Sequence, residues 1–176
     1  MKLEFINALR NTVSTISVVT TNSTGEVAGA TVSSFCSVSA DPPTLLVCIF
    51  KDTPLTSAIK KNKKFCINLL SQSQINVSDI FAGREISPSK NRFDLVEWKE
   101  GNFNQPILTG SVASFECNLT KTVDGFTHDV FFGNVLSVFD DQKIIEPLLY
   151  CKQQYAKSSI IDNSHIGLNK LMLELL

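Results

Sequence analysis

The sequence predicts a mainly β protein: a small antiparallel Greek-key barrel, closed or nearly closed, with short helices between its strands. Six or seven runs of β-branched and aromatic residues follow one another along the chain. Turn signals such as "NSTG" and Asp124-Gly125 sit between consecutive runs, close enough for antiparallel pairing. The helical stretches between them are short, which disfavours a doubly wound parallel sheet. The 176 residues suit one domain, long enough to bury roughly 70% of the surface exposed by its unfolded chain. We place that domain at residues 1–155 and a tail at 156–176.

The opening "KLEFINALR" spaces Leu3, Ile6 and Leu9 three apart, one face of a short helix, and "STISVVTT" turns to strand near Val13. Residues 15–21 and 26–35 then form a hairpin across "NSTG". "TLLVCIF" is continuously apolar and suits a strand buried on both faces. Thr53-Pro54 supplies an N-cap and a first-turn proline for a helix through "LTSAIKK", whose Lys60 and Lys61 suit the negative end of the dipole. "KFCINLL" is a second buried strand. "SQSQ" has capping-box spacing for a helix through Phe81, stopped at Gly83.

Residues 84–105 read as a polar loop anchored by Phe93, Leu95 and Trp98. "ASFECNL" alternates Ala113, Phe115, Cys117 and Leu119 with Ser114, Glu116 and Asn118. Asp124-Gly125 turns it into "THDVFFGNVLSVF", making a long hairpin, and "EPLLY" adds a strand. In the tail, Leu168, Leu171 and Leu175 have helical spacing for docking on the barrel or on a second subunit.

Sixteen basic and 17 acidic residues nearly cancel, so no overall field gathers nucleic acid or an anionic membrane. The partner expected is a small molecule or a protein. Cys36, Cys48, Cys66, Cys117 and Cys151 form no Cys-x-x-Cys pair, and read as reduced core thiols of a cytoplasmic protein. The N-terminus lacks a signal-peptide pattern, and no apolar run approaches a membrane span. Glycine-rich nucleotide loops and a Gly-x-Ser-x-Gly elbow are absent, and His128 and His165 lack acidic neighbours at metal spacing. No metal is expected.

What remains is "GATVSSFCSVSADPPTLLVC", residues 29–48, which puts small polar side chains in a β-prone stretch. Thr31, Ser33 and Ser34 lie ahead of a bend set by Asp41-Pro42-Pro43, where proline ends pairing. Two readings stand: hydroxyls and amides facing a ligand, or an edge strand with solvated hydroxyls.

The stretch from Gly29 to Gly83, with "NRFDLVEW", "QPILTGSVASFECNL", "GFTHDVFFGNVLSV" and "PLLYCKQQY" in order behind it, resembles the flavin reductase family. These are short-chain NAD(P)H:flavin oxidoreductases that serve as reductase components of two-component monooxygenases. The resemblance runs from about Phe5 to Tyr155. It implies an FMN-binding split β-barrel, a homodimer, FMN or FAD as flavin, NADH or NADPH as hydride donor, and an oxygenase component as partner. By the same resemblance Thr31, Val32, Ser33 and Ser34 line the flavin ring. Cys48, Ile49, Phe50 and Lys51 follow the ribityl chain, with Lys51 and Thr53 as phosphate partners. Phe81, Ala82 and Gly83 approach from a helix end. His128 positions the nicotinamide, and Tyr150 and Tyr155 border the pocket. The implied reaction is hydride transfer between two cofactors, which needs orientation and donors and no acid–base dyad. The alternative is a flavin carrier or redox-sensing module on the same fold.

Overall fold

The computed structural model describes residues 1–84, 91–140 and 145–159. Helix α1 spans Lys2–Leu9, followed by strands β1 Ser14–Thr15, β2 Ser17–Ser23, β3 Glu26–Val32, β4 Phe35–Ala40 and β5 Pro43–Phe50. Next come α2 Pro54–Asn62, β6 Lys64–Leu69, α3 Ile75–Ala82, β7 Trp98–Glu100 and β8 Pro106–Leu108. The chain continues through β9 Ala113–Gly125, β10 His128–Phe139, β11 Leu149–Cys151 and β12 Gln154–Ala156. Seven strands form one sheet in the order β3-β2-β6-β9-β10-β5-β4, every neighbouring pair antiparallel. A three-stranded sheet (β1-β11-β12) and the β7–β8 pair lie beside it.

Strands β3 and β4 are the two edges of that sheet, yet only Ser33 and Ser34 separate them. Laid flat, the edges would stand about 29 Å apart, six interstrand spacings. The link from Val32 to Phe35 reaches at most about 11 Å. The sheet must therefore curl until its edges meet. The join is made at β5, where the Cys48 amide donates to Ser34 O at 3.0 Å and Ser34 Oγ donates to Cys48 O at 2.9 Å. Register shifts at Phe132/Gly133 and Val135/Ser137 in the β9–β10 pair bend the longest hairpin around the same curve.

Inside the curl, Val19, Val47, Ile49, Phe65, Ile67 and Phe131 pack with Leu55 and Ile59 of α2. Gly133 lets this core close: a Cβ there would stand 2.6 Å from Phe65 Cζ and 2.7 Å from Cys117 Cβ. A second apolar cluster, including Val18, Leu70, Phe81, Phe93 and Leu108, seats α3 outside the sheet. Between the sheet and the β7–β8 pair lies a buried polar layer. Asn68 donates to Val18 O and Thr20 Oγ1 and accepts from the Leu108 amide and Ser114 Oγ. Glu116 Oε1 accepts the amides of Phe103 and Gln105 at 2.9 and 3.2 Å.

The barrel-like β fold agrees with the sequence. The capped α2 holds, with Thr53 Oγ1 accepting the Thr56 amide and Lys60 and Lys61 in the last turn. So do the Ser71–Gln74 capping box, which closes a short 3-10 turn ahead of α3, and the left-handed Gly83 stop. Helix α1 forms as its spacing predicts, with none of its residues buried. Several expectations need correction. The run "TLLVCIF" alternates buried with half-buried residues and ends on exposed Phe50, because α2 and the core cover one face while the cleft described below opens at the strand's end. Ser114 and Glu116, read as the polar side of an alternation, are buried because the β7–β8 pair covers them. Within residues 84–105, Phe93 is a buried anchor, Leu95 is exposed, and Trp98 begins β7. "EPLLY" contributes β11 to the small sheet rather than to the barrel. Only Cys66 and Cys117 are core thiols; Cys36 is exposed and Cys48 and Cys151 are half-buried, all five unpaired. The leucine-rich helix expected in the tail lies outside the described residues.

Two outcomes follow. Gly133→Ala should destabilise the fold by about 1–3 kcal/mol through overpacking, read as a lower urea midpoint with unchanged m-value; an unchanged midpoint would refute the close approach. Burial pushes the Cys117 thiol up to about 12 and Cys66 well above its ordinary value, so neither ionises near neutrality. Iodoacetamide labelling read by peptide mass spectrometry should modify Cys36 in the native protein and reach Cys66 and Cys117 only after unfolding.

Candidate active site

The curl leaves a cleft of about 370 Å³ where the two sheet edges meet. Its floor comes from Ala30, Thr31 and Val32 of β3 and from Cys48, Ile49 and Phe50 of β5, with the Ser33–Ser34 link across one end. Ser33 and Ser34 lie outside both strand ladders, so strand pairing does not consume their amides. The hydroxyls behave differently. Thr31 Oγ1 donates to Ser78 O at 2.7 Å and Ser34 Oγ to Cys48 O; both stitch backbone and offer a ligand only lone pairs. Among the described residues Ser33 Oγ has no hydrogen-bond partner and is exposed.

Helix α3 supplies the second wall through Phe81 and Ala82. It rests close on β3 because residue 29 is glycine: a Cβ there would meet Phe81 Cε1 at 2.7 Å. Arg92 locks the contact, its Nη1 donating to Phe81 O at 3.0 Å and Gly29 O at 3.3 Å. The guanidinium also lines the cleft, where it is a fixed positive charge. The resemblance did not single it out. The sequence signal was its place beside Phe93: a buried anchor carries its charged neighbour to the same place.

The third wall is the mouth between β5, α2 and the β9–β10 turn. Thr53 lines it, but its hydroxyl caps α2, accepting the Thr56 amide at 3.2 Å and donating to Phe50 O at 3.1 Å. His128 stands opposite Phe50 in the β5–β10 register, the rings edge to face with centroids 5.5 Å apart. Its Nδ1 lies 2.9 Å from Thr127 Oγ1, which leaves Nε2 to meet a ligand. Lys51 lies just past the lining, its Nζ 2.7 Å from Asp124 Oδ1. That contact, then the Phe126 amide, holds the Asp124 carboxyl below the usual carboxylate range.

Tyr150 and Tyr155 stand elsewhere. They line a smaller cleft of about 170 Å³ that shares Thr31, Val32, Ser33 and Ala82 with the first as a common wall. There Tyr155 Oη donates to Asp79 Oδ1 at 2.6 Å, and burial followed by that carboxylate raises the phenol above its ordinary value. Arg84 pairs with the same Asp79 oxygen at 3.1 Å. Of the residues singled out from sequence, Thr31, Val32, Ser33, Ser34, Cys48, Ile49, Phe50, Thr53, Phe81, Ala82 and His128 converge on one cleft. Lys51 adjoins it, Gly83 ends the helix behind it, and Tyr150 lies across the shared wall.

Known proteins share the sequence and fold of this chain. The chain is 36% identical over 137 residues to the FMN reductase (NADH) RutF of Pantoea ananatis, covering 78% of this chain and 71% of that protein. It superposes on flavin reductase HpaC complexed with NADP+ with a TM-score of 0.80 and 30% identity, covering 92% of this chain and all of that one. Nitrilotriacetate monooxygenase component B from Mycobacterium thermoresistibile matches with a TM-score of 0.81 and 27% identity, over 95% of this chain and 96% of the other. The model of the flavin reductase like domain matches residues 9–159, and with that span the chain belongs to the flavin reductase like domain family.

Proposed function

We propose that the chain is an NAD(P)H-dependent flavin reductase, moving a hydride from reduced nicotinamide to FMN or FAD in the cleft at the barrel seam. The observation that carries this reading is the Ser33–Ser34 link: two amides outside strand pairing, at the end of a cleft floored by small side chains. Such a place suits a flat ring whose edge is rich in hydrogen-bond acceptors. When bound there, flavin supplies the hydride acceptor. The chain's own part is orientation and exclusion of water. Phe50 and Phe81 give apolar walls, the two serine amides supply donors, and Arg92 adds to the cleft wall a positive charge that would favour the negative charge a flavin gains on reduction. His128, whose Nε2 is left open to a ligand, positions the nicotinamide. Tyr150, and Gly83 through the helix end it terminates, shape this site from behind its wall.

FMN and NADH are the pair we favour, since the relative from Pantoea ananatis is named for both. A partner oxygenase is supported by the match to a monooxygenase component. Residues 1–155 are the reductase unit. A homodimer is supported by α1, whose Leu3 and Phe5 are 67% and 62% exposed, and by the exposed edge strand β4. Among the described residues no helix is long and apolar enough to cross a membrane, in keeping with a cytoplasmic reductase.

Oxidation of NADH followed at 340 nm should depend on added FMN or FAD and saturate in both substrates. Flavin binding without NADH or NADPH turnover would instead mark a carrier. His128→Ala, at an exposed position, should raise KM for the nicotinamide about three- to tenfold, the worth of one hydrogen bond, with flavin affinity little changed. Loss of flavin affinity at constant KM would contradict the role given to His128.

A further inference from the structure

At the mouth of the cleft the chain carries its own counter-anion. Lys51 directly follows Phe50, and its amide donates to Thr127 O at 3.1 Å, which ties the end of β5 to the β9–β10 turn. Across that tie Lys51 Nζ is 2.7 Å from Asp124 Oδ1. The same oxygen accepts the Phe126 amide at 2.8 Å, so the carboxylate is fixed by the turn and does not simply trail in solvent. The neighbouring cation is also committed: Lys60 Nζ stands 2.6 Å from Asp129 Oδ2, a buried carboxylate on β10. Thr53 keeps its hydroxyl in the α2 cap. An anion arriving beside Lys51 therefore meets a paired ammonium and a negative charge.

We infer that Asp124 competes with the flavin phosphate for Lys51 and so sets how strongly the chain prefers phosphorylated flavin over riboflavin; this rests on the flavin-reductase reading above. A phosphate dianion at the strand end must draw Lys51 off Asp124 or share it against like-charge repulsion. Riboflavin has no phosphate and meets no such opposition. The consequence is a flavin site that holds FMN less tightly than its cations alone would dictate, a property suited to passing reduced flavin onward. Asp124 is exposed, pairs with Lys51 at the end of β5 and does not line the cleft itself, so its influence is confined to a ligand group that reaches Lys51.

The test is binding. Dissociation constants for FMN and riboflavin are measured by quenching of flavin fluorescence on the full chain, with Asp124→Asn, Lys51→Gln and the double variant. Asparagine keeps an acceptor for the Phe126 amide and removes the charge. FMN should bind Asp124→Asn about three- to tenfold tighter, riboflavin should be unchanged, and Lys51→Gln should abolish the gain. An unmoved FMN-to-riboflavin ratio, or equal tightening of both flavins, overturns the role of Asp124 while leaving the reductase reading intact. Failure of the unaltered chain to bind either flavin overturns that reading.

Discussion

The short link between β3 and β4 is the constraint on which the rest of the structure depends. Two residues join strands that lie at opposite edges of a seven-stranded sheet, and no flat sheet satisfies that distance. The curl, the core enclosed by it and the seam where the edges meet all follow from this connection. A cleft arises at the seam because Ser33 and Ser34 leave the β3 ladder at Val32 and do not enter the β4 ladder until Phe35. Barrel closure removes sheet edges that would otherwise template aggregation. Here closure stops short, and the remaining gap is the candidate active site.

The small polar side chains around the seam gain a specific purpose from that geometry. Thr31 and Ser34 hydrogen-bond to carbonyls of α3 and β5, holding three elements together where no regular ladder does so. A larger side chain would fill the cleft, and an apolar one would give up these two bonds. Gly29 serves the same end from behind, admitting Phe81 against the strand, and Arg92 ties that contact through two carbonyls. The site's charge is thereby supplied by a residue whose first task is structural. Two acids of the β9–β10 hairpin, Asp124 and Asp129, pair with Lys51 at the end of β5 and Lys60 of α2, so these two cations near the mouth are each matched by a carboxylate.

Most of the local structure was legible in the sequence because local chemistry determines it. Thr53-Pro54, the Ser71–Gln74 box and Gly83 each specify a helix end through capping and backbone geometry alone. Non-local cover was not legible. Glu116 alternates with Phe115 and Cys117 as a surface residue would, yet it is buried beneath the β7–β8 pair and accepts two amides from the turn that joins those strands. The apolar face of α1 has the spacing of a buried helix, and none of the described residues buries it. For the site, the β3, β5 and α3 residues came from the resemblance and converge in space. Arg92 and the Asp124 partner of Lys51 were missed, since pairing between residues 73 positions apart leaves no periodic trace.

The central claim is that the amides of the β3–β4 link are the ring's hydrogen-bond donors. The most direct measurement is an FMN titration of the 15N-labelled protein, following backbone amide resonances. The account predicts that Ser33 and Ser34 show the largest downfield proton shifts, with smaller changes along Cys48–Phe50 and Phe81–Ala82. It is contradicted if FMN binds while Ser33 and Ser34 stay unmoved and the largest shifts fall away from the seam.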